Sequence, residues 1–163
     1  MRLFVAIELS EDLQKSMTAT MHDLKIKGVK GNYVPVRNLH LTLAFLGEVA
    51  DLAAVENALR GIQYKAFKLS LSSMGTFGDL LWVGTKGNQG LAAAAKSVRE
   101  ALDENGITYD GKKFTPHITI VRHVTGPWQQ VSAPKGEMTV KKISLMKTTF
   151  KNGKPEYTEI FAI

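Results

Sequence analysis

Cysteine is absent from this chain of 163 residues. Without a thiol there is no disulfide staple, no thiolate nucleophile, no zinc ribbon and no iron–sulfur cluster. Long apolar runs are missing too, since no stretch approaches the roughly 18 residues that a membrane-spanning helix needs. The apolar start, Leu3-Phe4-Val5-Ala6-Ile7, is interrupted by Glu8 and followed by a polar helical pattern, so it does not read as a secretory signal. Acidic residues are in the minority, with 15 Asp and Glu against 21 Lys and Arg, a formal net charge of +6. That surplus favours a polyanionic partner, nucleic acid or a phosphate-bearing molecule. These absences point to a cytoplasmic protein that does not engage a membrane, and nothing in the sequence demands more than a monomer.

What is present suits a globular fold. Hydrophobic residues make up 44% and charged residues 22%, and a chain of this length can bury its own core. Leu3 to Ile7 reads as a strand buried on both faces. Ser10 caps a helix over Glu11 to Lys27, with an apolar stripe of Leu13, Met17, Met21 and Leu24. Gly28 and Gly31 end that helix, and residues 33 to 38 form an extended entry loop around Pro35. Leu39 to Leu46 reads as a strand closed by Gly47. Asp51 caps a short helix that stops before Gly61. Phe67 to Ser72 alternates as a strand, Gly75 to Asp79 connects it onward, and Leu80 to Val83 follows as another. Leu91 to Glu104 is an alanine-rich helix stopped by Asn105-Gly106. A strand lies within Phe114 to Val121. Val140 to Phe150 and Glu156 to Ile163 form a hairpin about Asn152-Gly153. The expected class is α+β with mostly antiparallel sheet.

One internal echo carries chemistry. Leu39-His40-Leu41-Thr42-Leu43 and Pro116-His117-Ile118-Thr119-Ile120 share the order histidine, aliphatic, threonine, aliphatic, nearly half the chain apart. Side chains alternate along a strand, so His40 with Thr42, and His117 with Thr119, each share a face. Two imidazoles, titrating near neutrality, can serve as acid and base on opposite sides of a phosphodiester, and the hydroxyls can hold its oxygens. Such chemistry calls for no metal and no other cofactor. The symmetry of the pair does not tell acid from base.

With these motifs and their flanks, the chain resembles the 2H phosphoesterase superfamily, and within it the RNA 2′,3′-cyclic phosphodiesterases, also called 2′-5′ RNA ligases. The likeness runs through Arg2 to Ile7, Val34-Pro35, Asn38 to Gly47, Gly75 to Phe77, Leu81 to Gly84 and Phe114 to Arg122. Tyr33 stands where that family would be expected to carry tryptophan. The resemblance implies a bilobal fold over residues 1–163, a single domain made of two antiparallel sheets with outer helices about a pseudo-twofold cleft. It implies hydrolysis of an RNA terminal 2′,3′-cyclic phosphate to a 2′-phosphomonoester, with reversible 2′-5′ RNA ligation associated with the same site. His40 would then be the proton donor, His117 the proton acceptor, and Thr42, Thr119 and Arg122 the phosphate ligands. Strand parity puts Arg122 on the wrong face, so it reaches the phosphate only if the strand twists, bulges or ends near Val121.

Other residues read more plainly. Tyr33, before the first motif, is placed to contact a base. Phe45, Phe77 and Trp82 read as core, Phe45 because it shares parity with Leu41 and Leu43. His22 reads as helix surface and His123 as the start of a loop. Competing functions are cleavage of 2′-5′ oligonucleotides or of small cyclic nucleotides, and a non-catalytic RNA-binding module.

Overall fold

The computed structural model describes residues 1–163 and holds two antiparallel sheets with three helices. Strand β1 (Arg2–Glu8) is central in the four-stranded sheet, where burial of Leu3 to Ile7 on both faces explains its apolar sequence. Helix α1 (Glu11–Ile26) starts where the Ser10 hydroxyl accepts from the Leu13 amide at 3.3 Å, with Glu11 and Asp12 complementing its dipole. Its stripe of Leu13, Met17, Met21 and Leu24 is buried, as the periodicity requires.

The entry segment is not all loop. Strand β2 (Lys30–Tyr33) takes in Tyr33 and is followed by a 3-10 turn, Val36–Asn38. Its polar, exposed residues carry no alternation, and pairing to a distant strand defines it. Strand β3 (His40–Glu48) runs through Gly47, which takes a φ of +70° within the strand instead of closing it. Helix α2 (Leu52–Arg60) is capped by Asp51.

Strand β4 (Phe67–Phe77) is longer than its alternation suggests and meets β5 (Leu80–Thr85) through a tight turn at Gly78-Asp79. Gly75 lies in this strand, not in a connection. It pairs with Trp82, and a Cβ there would stand 2.5 Å from the indole. Helix α3 (Gln89–Glu104) is capped by Asn88, and β6 (His117–Thr125) carries the second motif.

The expected strand from Val140 to Phe150 is two strands. Val140 ends β7 (Glu137–Val140) in the five-stranded sheet, and Ser144 opens β8 (Ser144–Lys151) in the other. A hairpin with Asn152 and Gly153 at positive φ then leads into β9 (Lys154–Ala162). The sheet orders are β3-β1-β8-β9 and β2-β6-β5-β4-β7. The pair β1–β3, bridged by α1, matches the pair β5–β6, bridged by α3. A continuous apolar core joins the sheets and helices through residues such as Leu3, Leu13, Leu59, Leu69, Val98 and Ile118. No helix is long and apolar enough to cross a membrane.

Candidate active site

Strands β3 and β6 lie against each other where the two sheets meet. His40 and Thr42 are half-buried between buried Leu41 and Leu43, and His117 and Thr119 between buried Ile118 and Ile120. Both polar pairs line one cavity of about 930 Å³, together with Arg122 and Tyr33. The sequence echo is thus a spatial convergence.

Each strand then breaks its alternation at the same point. On β3, Val5 pairs with Ala44 and Ala6 with Thr42, so Leu43 has no partner. On β6, Trp82 pairs with Thr119 and Leu81 with Val121, so Ile120 has none. The extra residue is a β-bulge, which shifts the parity of everything after it. Val121 is therefore buried and Arg122 enters the cavity on the side of His117. The bulge that Arg122 requires is present. The same shift corrects the reading of Phe45, which is 36% exposed and lines the cavity instead of the core. Arg122 and Phe45 hold equivalent places, five residues after their histidines.

The bulge carbonyls are both satisfied. The Ile120 carbonyl accepts from the Val34 amide at 2.9 Å, which continues the pairing of β2. The Leu43 carbonyl lies at a sheet edge, and there the Arg99 Nε of α3 donates to it at 3.1 Å. The same guanidinium donates to the Lys112 carbonyl and lies over Tyr109 and Phe114.

The histidines are oriented alike. Nδ1 of His40 is 2.7 Å from the Asn38 carbonyl, and Nδ1 of His117 is 2.7 Å from the Thr115 carbonyl. A carbonyl only accepts, so Nδ1 carries the proton in each ring and Nε2 is left for chemistry. Their surroundings differ. His40 packs against Phe4, with ring centroids 4.8 Å apart, and meets Tyr157 edge-on at 5.2 Å. Burial pushes its pKa below the ordinary histidine value. The bond to Asn38 opposes that shift, and the positive charges of Arg122 and His117 add to it. His117 meets only the edge of Phe77, at 5.2 Å.

Tyr33 stands on β2 and lines the cavity, where its hydroxyl donates to the Val29 carbonyl at 2.7 Å and Lys25 Nζ lies 4.7 Å from its ring centroid. Phe77 is 45% exposed and is not core, and Trp82 is only half-buried. His123 opens no loop. It lies within β6 at a φ of +55°, with Nδ1 3.0 Å from Asp79 Oδ2. His22 is exposed on α1. Motif reading missed Phe4, Tyr157 and Asn38. Asn38 alone gives a signal, as a polar residue directly before an apolar strand.

Two bulged strands, each presenting a His-x-Thr pair into a cleft between pseudo-symmetric sheets, define a two-lobed phosphoesterase fold. Comparison with known proteins agrees. Residues 11–151 match the model of the 2′-5′ RNA ligase superfamily, and the chain belongs to that family. It is similar to the RNA 2′,3′-cyclic phosphodiesterase of Archaeoglobus fulgidus, with 35% identity over 130 residues, covering 75% of this chain and 72% of that protein. Among solved structures, it resembles E. coli LigT in apo form, with a TM-score of 0.86 and 27% identity over 99% of this chain and 95% of that one. E. coli LigT complexed with 3′-AMP gives a TM-score of 0.83 and 28% identity, with the same coverage.

Proposed function

We propose that this protein hydrolyses the terminal 2′,3′-cyclic phosphate of RNA to a 2′-phosphomonoester by two-histidine acid–base catalysis. The observation that carries this reading is the convergence of two Nδ1-anchored imidazoles on one cavity, with Thr42, Thr119 and Arg122 beside them. The activity named for the Archaeoglobus fulgidus relative, and for others of similar length, supports the choice of substrate. The whole chain acts as a single domain of two lobes, and the activity belongs to RNA processing in the cytoplasm.

In this mechanism the phosphate sits between the imidazoles, held by the two threonine hydroxyls and the Arg122 guanidinium. His117 Nε2 takes a proton from water as its oxygen attacks phosphorus. The bond to the ribose 3′-oxygen breaks in line, and His40 Nε2 gives that oxygen a proton. The product is a 3′-hydroxyl beside a 2′-phosphate, and each histidine has exchanged its protonation state. With a 5′-hydroxyl attacking in place of water, the same forward steps form a 2′-5′ linkage and free the 3′-hydroxyl; their reversal cleaves that linkage back to the cyclic phosphate. In the free protein, burial and nearby positive charge hold His40 towards its neutral form. A bound anion offsets those charges and restores the proton that a donor needs.

The test is incubation, in EDTA, of wild type and of His40→Ala and His117→Ala with RNA ending in a 2′,3′-cyclic phosphate. Wild type is expected to yield the 2′-phosphate, and each variant to lose about 10²- to 10⁴-fold in rate. A 3′-phosphate product, or variants as active as wild type, would contradict the mechanism. Cleavage of 2′-5′ oligonucleotides alone would move the substrate elsewhere in the superfamily, and RNA binding without turnover would make the cleft a binding module.

A further inference from the structure

The cavity is wider than one phosphate requires, and its charge is uneven. Arg37, Lys154 and Arg122 line it, against a single acid, Asp110. Asp110 already faces Lys112 at 3.9 Å, and its amide donates to the Phe45 carbonyl. It therefore marks the Phe45 end of β3, roughly 16 Å along the strand from His40. Arg37 lies beyond the opposite end, three residues before His40. Neither Arg37 nor Lys154 makes an ion pair, and both are exposed.

These two cations are not independent surface charges. The side chain of Asn38, only 5% exposed, donates to the Pro155 carbonyl at 3.1 Å. That bond fastens the 3-10 turn carrying Arg37 to the start of β9, next to Lys154. The same Asn38 orients His40 through its own carbonyl. A buried polar side chain thus ties together the two backbone segments that carry these unpaired cations, beside the histidine that Asn38 orients.

We propose that Arg37 and Lys154 receive the backbone phosphates on the 5′ side of the reacting nucleotide, so that the site selects RNA strands over cyclic mononucleotides. The inference rests on the phosphodiesterase reading and specifies where the rest of the strand lies. A terminal cyclic phosphate leaves only the 5′ direction for the chain. The Phe45 end is aromatic and its charges are already engaged, Asp110 with Lys112 and Arg2 over the Phe45 ring, so it suits the terminal base, while the two unpaired cations of the Arg37 end attract phosphate.

The experiment compares kcat/KM for a short RNA ending in a 2′,3′-cyclic phosphate with kcat/KM for cyclic 2′,3′-UMP. It uses wild type, the double variant Arg37→Gln/Lys154→Gln, and a control, Lys27→Gln/Lys65→Gln, that removes the same charge elsewhere. Salt dependence of RNA binding is measured on all three proteins. In the rim variant the RNA-to-mononucleotide ratio is expected to fall on the order of tenfold. The slope of log K against log salt should shrink by about 1.4, at roughly 0.7 per lost single-strand contact. The control should keep the wild-type ratio. An unchanged ratio and slope in the rim variant, or an equal loss in the control, would overturn the proposal. Failure of wild type to hydrolyse either substrate would sink the phosphodiesterase reading instead, and the salt slope would still decide whether the rim binds RNA.

Discussion

Replacing Arg99 by methionine isolates the support of the first bulge. Methionine keeps most of the aliphatic stem and loses the guanidinium. The Leu43 carbonyl belongs to a fully buried residue at a strand edge and takes its hydrogen bond from Arg99 Nε. Leaving such a carbonyl unpaired costs about 1–3 kcal/mol. The guanidinium also lies 5.5 Å from the Tyr109 ring centroid and 5.6 Å from that of Phe114, contacts worth about 0.5–1 kcal/mol at a partly exposed site. The bond to Lys112 is exposed and adds little. The expected loss is therefore about 1.5–4 kcal/mol, or a fall of about 3–16 °C in Tm for a chain of this size. Urea denaturation should show a lower midpoint with an unchanged slope. Because the bulge sets the direction of β3 beyond Thr42, kcat/KM should fall as well, about tenfold. Arg99→Lys, which retains a charge but not the forked donor, should recover only part of either loss. A variant with wild-type Tm and wild-type turnover would show that the bulge holds its shape without Arg99, and the reasoning would fail.

Other expectations follow from the same geometry. Gly31→Ala would place a Cβ 2.7 Å from the Arg122 carbonyl, at a φ of +147°, whereas Gly28→Ala meets nothing within 4 Å. The first should therefore cost more stability than the second and depress kcat/KM through Arg122, as denaturation and steady-state rates would show. Phe45→Ala should raise KM while costing less than about 1 kcal/mol, since a core phenylalanine would cost about 3–5 kcal/mol; a loss of that larger size would restore the core reading. NMR titration of His40 should give a pKa below 6.5 in the free protein, because burial and the charges of Arg122 and His117 oppose its imidazolium. Addition of a 2′-phosphate nucleotide should raise it, because an anion favours the charged form, and an unmoved titration would separate His40 from the phosphate.

Much of this site is legible in the sequence because it depends on strand parity. The two His-x-Thr pairs, the helix caps at Ser10 and Asp51 and the Asn152-Gly153 turn follow from local chemistry that the fold respects. Parity fails where a bulge intervenes, since one unpaired residue reverses every face after it. Simple alternation misplaces Phe45 for that reason and places Arg122 only on condition of a bulge. The carbonyl at the Leu43 bulge takes its hydrogen bond from a guanidinium 56 residues away, so no local pattern marks it. Strand β2 is hidden for a related reason: its polar residues form a strand only by pairing with β6. The crossing from Val140 to Ser144 keeps a strand-like sequence throughout, and only the change of sheet divides it.

In the proposed displacement, His40 donates one proton and His117 accepts another. The pH dependence of kcat/KM for wild type, His40→Ala and His117→Ala on one cyclic-phosphate RNA tests it most directly. Wild type should give a bell. Without the donor, residual activity should only rise with pH to a plateau, and without the acceptor it should only fall. A flat wild-type profile with chemistry rate-limiting would contradict two-histidine catalysis, and the reverse pattern in the variants would exchange the roles of His40 and His117.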